Sequence, residues 1–473
     1  MRSFSFLPGL CLLLTECLLG DPLPLRPGSP ATALDRYVAK ADASFHWEVP
    51  VTTPVPGGTV YAIDMVSQHW RTTNEVDHPE WRHWLTVVVP DDIDSSTALL
   101  FITGGAIGKS APQPSRELMQ VAKASKSVVA ELHQVPAQPL VLGGDGQARV
   151  EDDFIAYTWD KFLRTGDEEW PARLPMTKAA IRAMDTVTAF CSSAKGGSHK
   201  VDTFVVAGGS KRGWTTWTTA AVDPRVIGIC PIVIDVLNFN KSMQHHYQAY
   251  GAFAPSVGDY TSHHIMEWVG TSEMDALCAI EDPYSYRGRM TMPKLIMNAS
   301  GDQYFLPDSS QFYFDDLPGP KYLRYVPNAD HSLSGSDAYL TLLSWHDAII
   351  HHRALPTLNW KSKDEGQLFA STETKPSSVL LWQASNPNGR DFRLETVGRI
   401  WKSSPIPESG SGAYVYTAAT PKPDTGWAAY FIELTFDLGG PAPLKLTTPV
   451  RIVPDTLPHP TPVFQPPSGY LHK

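Results

Sequence analysis

The chain has 473 residues, 42% of them hydrophobic and 19% charged, which is enough apolar material for roughly two or three folded domains. A formal net charge of -10 argues against a nucleic-acid partner, since no concentration of Lys and Arg is present to neutralise phosphates.

The first residues carry Arg2, an apolar run from Phe4 to Leu19 broken by Pro8, and Gly20 before Asp21-Pro22-Leu23-Pro24. That is the pattern of a secretory signal peptide over residues 1–20, cut after Gly20. The rival is an uncleaved anchor, but Glu16 interrupts a run already short of the about 20 apolar residues a span needs. No later run is long enough, so a secreted protein without a membrane span is expected. Cys11 and Cys17 leave with the leader; Cys191, Cys230 and Cys278 allow at most one disulfide, and spacing does not choose the pair. Of the sequons at Asn240 and Asn298, the second follows a buried-looking strand and is expected to stay unmodified.

Thr59–Trp70 and Trp84–Val89 read as a β-hairpin rich in Val, Ile, Tyr and Trp. The aromatic and histidine side chains on and between them (His69, Trp70, His78, Trp81, His83, Trp84) fit packing on a sheet better than metal binding, because no short ligand spacing occurs. From Ala98 onward, strands alternate with helices. Strands are predicted at Ala98–Thr103, Ser127–Leu132, Thr203–Ala207, Val226–Ile234, Pro293–Asn298 and Tyr322–Val326. Helices are predicted at Arg116–Ser125, Met176–Ser192 and Trp214–Ala221. Short continuous apolar strands separated by helices imply a parallel sheet buried on both faces, so the fold class is α/β.

Two segments interrupt the alternation. Residues 140–175 hold Glu151-Asp152-Asp153, and residues 238–283 hold His245, His246, His263, His264 and Glu267. Insertions at the carboxyl edge of such a sheet form lids or substrate pockets. Metal binding by the histidine pairs is the alternative, though neighbouring helix positions point apart. Beyond residue 357 the composition shifts to short strands between Pro- and Gly-rich turns: Ser378–Ala384, Phe392–Val397, Ala413–Thr417, Ala428–Phe436 and Val450–Val453. The predicted layout is therefore an α/β domain over 21–357 with lid insertions, and an antiparallel β-sandwich over 358–473 that serves a structural role or binds a protein partner.

Val205-Val206-Ala207-Gly208-Gly209-Ser210 runs into the helix that follows, as a nucleophile elbow does. Such a turn needs a residue without a side chain two places before the serine, and Gly208 supplies it. The usual glycine two places after is Arg212 here, with Gly213 one place late, so a plain strand-to-helix loop is a rival reading. The other parts decide between them. Asp302 follows the strand ending at Asn298, and His331 follows the strand ending at Val326, which gives the chain order serine, acid, histidine. Asp235 is a second possible acid, and Asp330 a weaker one. In this reading His331 is the base, Asp302 fixes its tautomer, and the oxyanion is met by the N–H of Lys211 and a donor from Gly104-Gly105-Ala106, with Gly105 and Ala106 the candidates. No cofactor and no metal are required.

The run Gly208-Gly209-Ser210-Lys211-Arg212-Gly213-Trp214-Thr215 resembles the PhoPQ-activated pathogenicity-related protein family. The likeness extends to Ile155–Trp159, Arg173–Ala179, the Asp302 and His331 loops, Leu381–Ala384 and Arg390–Arg393. The resemblance implies an α/β-hydrolase fold followed by a C-terminal β domain. It also places the family's serine, acid and histidine on Ser210, Asp302 and His331, and makes the late glycine a family trait. The expected function is a secreted serine hydrolase cleaving an ester or amide of a small molecule or peptide. The alternatives are a secreted signalling or binding protein on the same scaffold, since the family looks to include proliferation repressors, and a metal enzyme using His245, His246, His263 and His264. Finally, the misplaced Arg212 is expected to be held by an acidic partner within Glu151-Asp152-Asp153.

Overall fold

The structure, a computed structural model, describes residues 31–363, 366–410 and 414–472. The leader reading, Cys11 and Cys17 lie outside these residues, as does Ala413 at the start of one predicted strand.

Helix α1 (Ala33–Ala39) begins at a reciprocal capping box between Thr32 and Asp35. An antiparallel meander follows, of β1 (His46–Val55), β2 (Gly58–His69) and β3 (Glu80–Pro90). Then come β4 (Thr97–Ile102), α2 (Arg116–Ser125), β5 (Val129–Leu132) and a short hairpin of β6 (Leu140–Val141) and β7 (Ala148–Arg149). After these, α3 (Glu151–Thr165) and α4 (Arg173–Ser192) lead into β8 (Thr203–Gly209), α5 (Lys211–Val222) and β9 (Val226–Ile232). The chain continues through α6 (Phe239–Tyr250), α7 (Gly258–Ser262), α8 (Ser272–Glu281), β10 (Lys294–Ala299), β11 (Lys321–Val326) and α9 (Ala338–Ile350).

The main sheet has nine strands in the order β1-β2-β3-β5-β4-β8-β9-β10-β11. Neighbours from β5 to β11 are parallel, and β3 joins β5 antiparallel. The parallel strands are buried almost throughout because helices cover both faces: β10 is buried at every position. The order steps outward from β4 to β5 on one side and to β8 on the other. The crevice between the carboxyl ends of β4 and β8 is therefore the topological switch point, where open α/β sheets bind ligands. This order, with a strand-serine-helix turn after β8, is the α/β-hydrolase arrangement expected from the sequence.

Beyond α9 the chain forms β12 (Asn359–Lys363), β13 (Gln367–Thr372), β14 (Ser378–Asn386), α10 (Leu394–Val397), β15 (Lys402–Pro405), β16 (Tyr414–Ala419), β17 (Trp427–Phe436), β18 (Leu444–Thr447) and β19 (Arg451–Val453). They make two antiparallel sheets, β12-β13-β16 and β15-β14-β17-β18 with β19 on β17. Leu368, Leu381, Ile432 and Leu434 from these sheets share one apolar cluster with Leu295, Val326 and Trp345 of the α/β part. A hydrogen bond from Tyr325 N–H to the Thr447 hydroxyl, 3.0 Å, ties the two parts together.

One expectation needs correction. Phe392–Val397 is not a strand but leads into the single helical turn α10. Its backbone donor at Leu394 goes to Gly301 O, 2.9 Å, so the segment braces the Asp302 loop instead of extending a ladder. The one disulfide the cysteine count allowed does not form: Cys191 on α4, Cys230 in β9 and Cys278 on α8 are all free thiols. Asn298 is 2% exposed inside β10, which keeps its sequon out of reach. Among the described residues, no helix is long and apolar enough to cross a membrane.

Candidate active site

Ser210 sits between β8 and α5 at φ 56 and ψ -125, a conformation that costs a residue with a side chain energy and persists only where its surroundings enforce it. The enforcement is visible: Ser210 N–H donates to Ile232 O of β9, 2.8 Å, and Trp214 N–H to Ser210 O, 3.0 Å. A Cβ at Gly208 would lie 2.8 Å from Arg212 O. One at Gly213 would lie 2.8 Å from Ile232 O and 2.9 Å from Gly208 O. The close approach of helix to sheet thus falls on Gly213, and the place two after the serine is free to carry a side chain. Lys211 opens α5, so its N–H has no acceptor within the helix and stands at the positive end of the helix dipole.

The Arg212 side chain is buried and fully engaged. Its Nη1 and Nη2 donate to both Glu151 carboxylate oxygens at 2.8 and 2.7 Å, and Nε donates to Val135 O at 2.5 Å. The acidic partner expected in Glu151-Asp152-Asp153 is therefore Glu151. Burial works to raise the Glu151 carboxyl, but Arg212 and then Lys211 outweigh it and hold the group down to about 2. Lys211 Nζ lies 3.0 Å from both Glu151 Oε2 and Asp152 Oδ2, and Tyr260 OH donates to Asp152 Oδ1 at 3.1 Å. A Cβ on Gly104 would lie 2.4 Å from Arg212 Nη2. Hence the loop carrying Gly105 and Ala106 rests directly on the Arg212 guanidinium, beside the elbow. Gly105 has φ 130, and Gln134 Nε2 holds Ala106 O at 3.1 Å.

Asp302 and His331 are brought together by parallel neighbours β10 and β11. Asp302 is 3% exposed and accepts the N–H groups of Tyr304 and Phe305 at 2.8 and 3.3 Å. Its oxygens lie 2.8 and 3.0 Å from His331 Nδ1. The loop is further fixed by His331 N–H donating to Gln303 Oε1, 3.0 Å. His331 Nε2 is buried and makes no hydrogen bond among the described residues. A carboxylate on Nδ1 leaves Nε2 free to accept a proton, the arrangement a general base requires.

The rival assignments are engaged elsewhere. Asp235 accepts hydroxyls of Tyr313 and Tyr325, both at 2.6 Å, and burial pushes its carboxyl up to about 8. Asp330 accepts Ser332 N–H and hydroxyl. His245 pairs with Asp308 at 3.0 Å, His246 Nε2 accepts Ala254 N–H at 2.9 Å, His263 meets Asp153 at 2.7 Å and His264 meets Glu267 at 2.7 Å. These partners point the rings apart, and among the described residues no group of three or more metal-binding side chains converges. On the hairpin, His83 packs beside Trp81 and lies 3.0 Å from the Ser67 hydroxyl; burial pushes its imidazole down to about 4.

Ser210 and Lys211 line a narrow pocket of about 30 Å³. Its walls are Trp159 from α3, Trp214 from α5, Phe239 and Met243 from α6, Tyr260 from α7, and Tyr304 and Phe305 from the acid loop. Both segments that interrupted the alternation thus contribute to it. Tyr304 and Phe305 also pack on the His331 ring, with centroids 4.3 and 5.9 Å away, and so connect the Asp302–His331 pair to the serine pocket. Sequence reasoning missed these two, although an aromatic pair two and three places after the acid was a readable signal. It also missed the roles of Arg173 and Glu281. Arg173 is 2% exposed, its guanidinium 4.1 Å from the Trp214 ring centroid and 3.3 Å from Glu281.

Comparison with known proteins gives one close relative and several distant structures. The chain is 37% identical over 458 residues to "Autocrine proliferation repressor protein A" of Dictyostelium discoideum, covering 90% of this chain and 92% of that one. An acetyl xylan esterase from Paenibacillus sp. R4 matches at 18% identity with a TM-score of 0.45, covering 66% of this chain and 92% of that chain. Acetyl Xylan Esterase 1 from Thermoanaerobacterium sp. JW/SL YS485 matches at 13% identity with a TM-score of 0.46, over 67% and 92%. With a family model matching residues 34–393 and a relative alike over nearly its whole length, the chain belongs to the PhoPQ-activated pathogenicity-related protein family.

Proposed function

We propose that the protein is a serine hydrolase in which Ser210 attacks the carbonyl of an ester or amide. The observation that carries this reading is the conjunction at the switch point. A serine held at φ 56 opens a buried helix, and an Asp302-bound histidine with an unpartnered Nε2 is linked to it through the rings of Tyr304 and Phe305.

In this mechanism His331 Nε2 takes the Ser210 proton during attack and returns it to the leaving group, while Asp302 holds Nδ1–H and stabilises the imidazolium. The oxyanion is met by Lys211 N–H and by an N–H of the Gly105-Ala106 segment, which Arg212 supports from below. His331 Nε2 does not hydrogen-bond Ser210 in this structure, and such contacts often tighten only once substrate binds. Water admitted after the leaving group departs hydrolyses the acyl-serine by the same steps in reverse. Secretion is supported by the leader-like first 20 residues.

The test is labelling with a fluorophosphonate probe. The wild type is expected to label at Ser210 and Ser210→Ala not at all; a folded wild type that stays unlabelled refutes the proposal. A second reading is a signalling protein on this scaffold, the role that the name of the Dictyostelium discoideum relative gives to that relative. Full repression of proliferation by Ser210→Ala would support it over a catalytic role.

A further inference from the structure

The pocket beside Ser210 is enclosed by separate parts of the chain. Trp159 comes from α3 and Trp214 from α5, whereas Phe239, Met243, Val257, Tyr260 and Met266 all belong to the insertion at 238–283. At about 30 Å³ the pocket holds about two waters. A larger group can fill it only if the insertion moves away from α3 and α5. On the inside, Tyr260 and His263 tie the insertion to Asp152 and Asp153 of α3. A second set of ties comes from residues 454–472, beyond β19.

These residues form neither helix nor strand. Six prolines between Pro454 and Pro467 remove backbone donors, so the segment is attached at separate points and not by a ladder. At α6, His459 N–H donates to Gln248 O, 3.0 Å, and Gln248 Nε2 to the Thr461 hydroxyl, 3.1 Å. Phe464 stacks on Phe253 with centroids 5.8 Å apart and meets Tyr247 edge-on at 5.9 Å. At α8, the Glu273 carboxylate is 0% exposed and accepts the N–H groups of Leu471 and His472 at 3.1 and 2.9 Å. Gly469 seats so closely there that a Cβ on it would lie 2.5 Å from Glu273 Oε1 and 2.7 Å from the Trp268 ring. Tyr470 reaches α3, its ring 5.6 Å from Phe162 and its N–H 3.3 Å from Leu163 O. The segment thus joins α6 and α8 of the insertion to the end of α3, through residues other than those that line the pocket. Between its attachment points it is loose: residues 455–461 are exposed, and Val463 is 94% exposed.

Resting on the serine-hydrolase reading only for what enters, we propose that residues 454–472 are a releasable strap that keeps the insertion shut on the Ser210 pocket, and that detachment at Phe464, Tyr470 and Glu273 opens it. Access to Ser210 is then regulated by a segment that touches neither the triad nor the pocket. The test uses the full chain carrying Phe464→Ala together with Tyr470→Ala, and separately Glu273→Gln, which keeps the shape of the side chain and removes its charge. Amide hydrogen exchange over residues 239–268 is expected to quicken about fivefold or more in the double variant and in the same direction in Glu273→Gln, with β8 and β10 unchanged. Met243→Cys places a reporter in the pocket. Its alkylation by iodoacetamide, located by mass mapping, should also quicken about fivefold or more when the double variant is added. Exchange and alkylation equal to those of the strapped protein overturn the strap. So does equal loosening of β8 and β10 in both variants, which would make the segment part of the core. Fluorophosphonate labelling of Ser210 in the same proteins separates the strap from the reading beneath it. No labelling in any of them, with faster alkylation at residue 243, keeps the strap and refutes the hydrolase; equal labelling in all, with unchanged alkylation, keeps the hydrolase and refutes the strap.

Discussion

Replacing Glu151 by Gln keeps the shape of the side chain and removes only its charge, which isolates the charge's role beneath the elbow. Arg212 is 10% exposed and bonded to both Glu151 oxygens, and Lys211 draws on the same carboxylate at 3.0 Å. Stranding a buried cation by removing its partner typically costs about 3 to 5 kcal/mol. Glu151 is itself 40% exposed and Lys211 keeps Asp152, so solvent screening reduces the expected loss to about 2 kcal/mol at pH 7. With a urea slope of roughly 2 to 3 kcal/mol per molar, the unfolding midpoint should fall by about 0.7 to 1 M. The sign of the pH dependence follows from the depressed carboxyl, which moves from an ordinary 4.5 to about 2 in the folded state. The contribution is whole above the ordinary value and lost as pH falls from there through about 2. Wild type and variant should therefore differ fully at pH 7, less at pH 3.5 and hardly at all near pH 2. Equal midpoints at pH 7, or a gap that persists undiminished into acid, would refute the reasoning.

Gly213→Ala should destabilise the protein by about 2 kcal/mol or more in thermal unfolding, despite alanine's better helix propensity, because the clashing atoms at 2.8 and 2.9 Å are backbone carbonyls that cannot swing aside; an unchanged melting temperature would show that the turn has slack. Asp235→Asn should become more stable relative to wild type as pH rises. The raised carboxyl gives the wild type a contribution that is full below 3.8 and lost as pH climbs through about 8, which the amide does not share. Stability curves from pH 5 to 9 that stay parallel for the two proteins count against this. Burial pushes the Cys191 thiol up to about 12 and those of Cys230 and Cys278 well above the ordinary range. A thiol reagent at pH 8 should thus react with all three only after unfolding, and rapid native labelling of any of them would contradict it.

The alternation of apolar strands with helices determined the fold class, because a strand such as Leu295–Met297, buried on both faces, must be apolar without interruption. The order Ser210, Asp302, His331 was equally legible, since each residue follows a strand and parallel strands deliver their ends to one edge. The sequence could not say why Gly213 stands where it does. That depends on Ile232 O and Gly208 O, and the first belongs to a neighbouring strand. Strand position alone left Asp235 as a rival to Asp302, since both follow strands; the packing gives Asp235 to Tyr313 and Tyr325 and leaves Asp302 against His331. Arg212 shows the division most plainly. Local pattern marked it as out of place and charge chemistry pointed to a nearby acidic run, but the choice of Glu151 and the contact with Gly104 required the fold. Local sequence specifies backbone propensity and which face is buried, whereas ion pairs, pocket walls and close backbone approaches join residues far apart in the chain, and only tertiary packing brings them together.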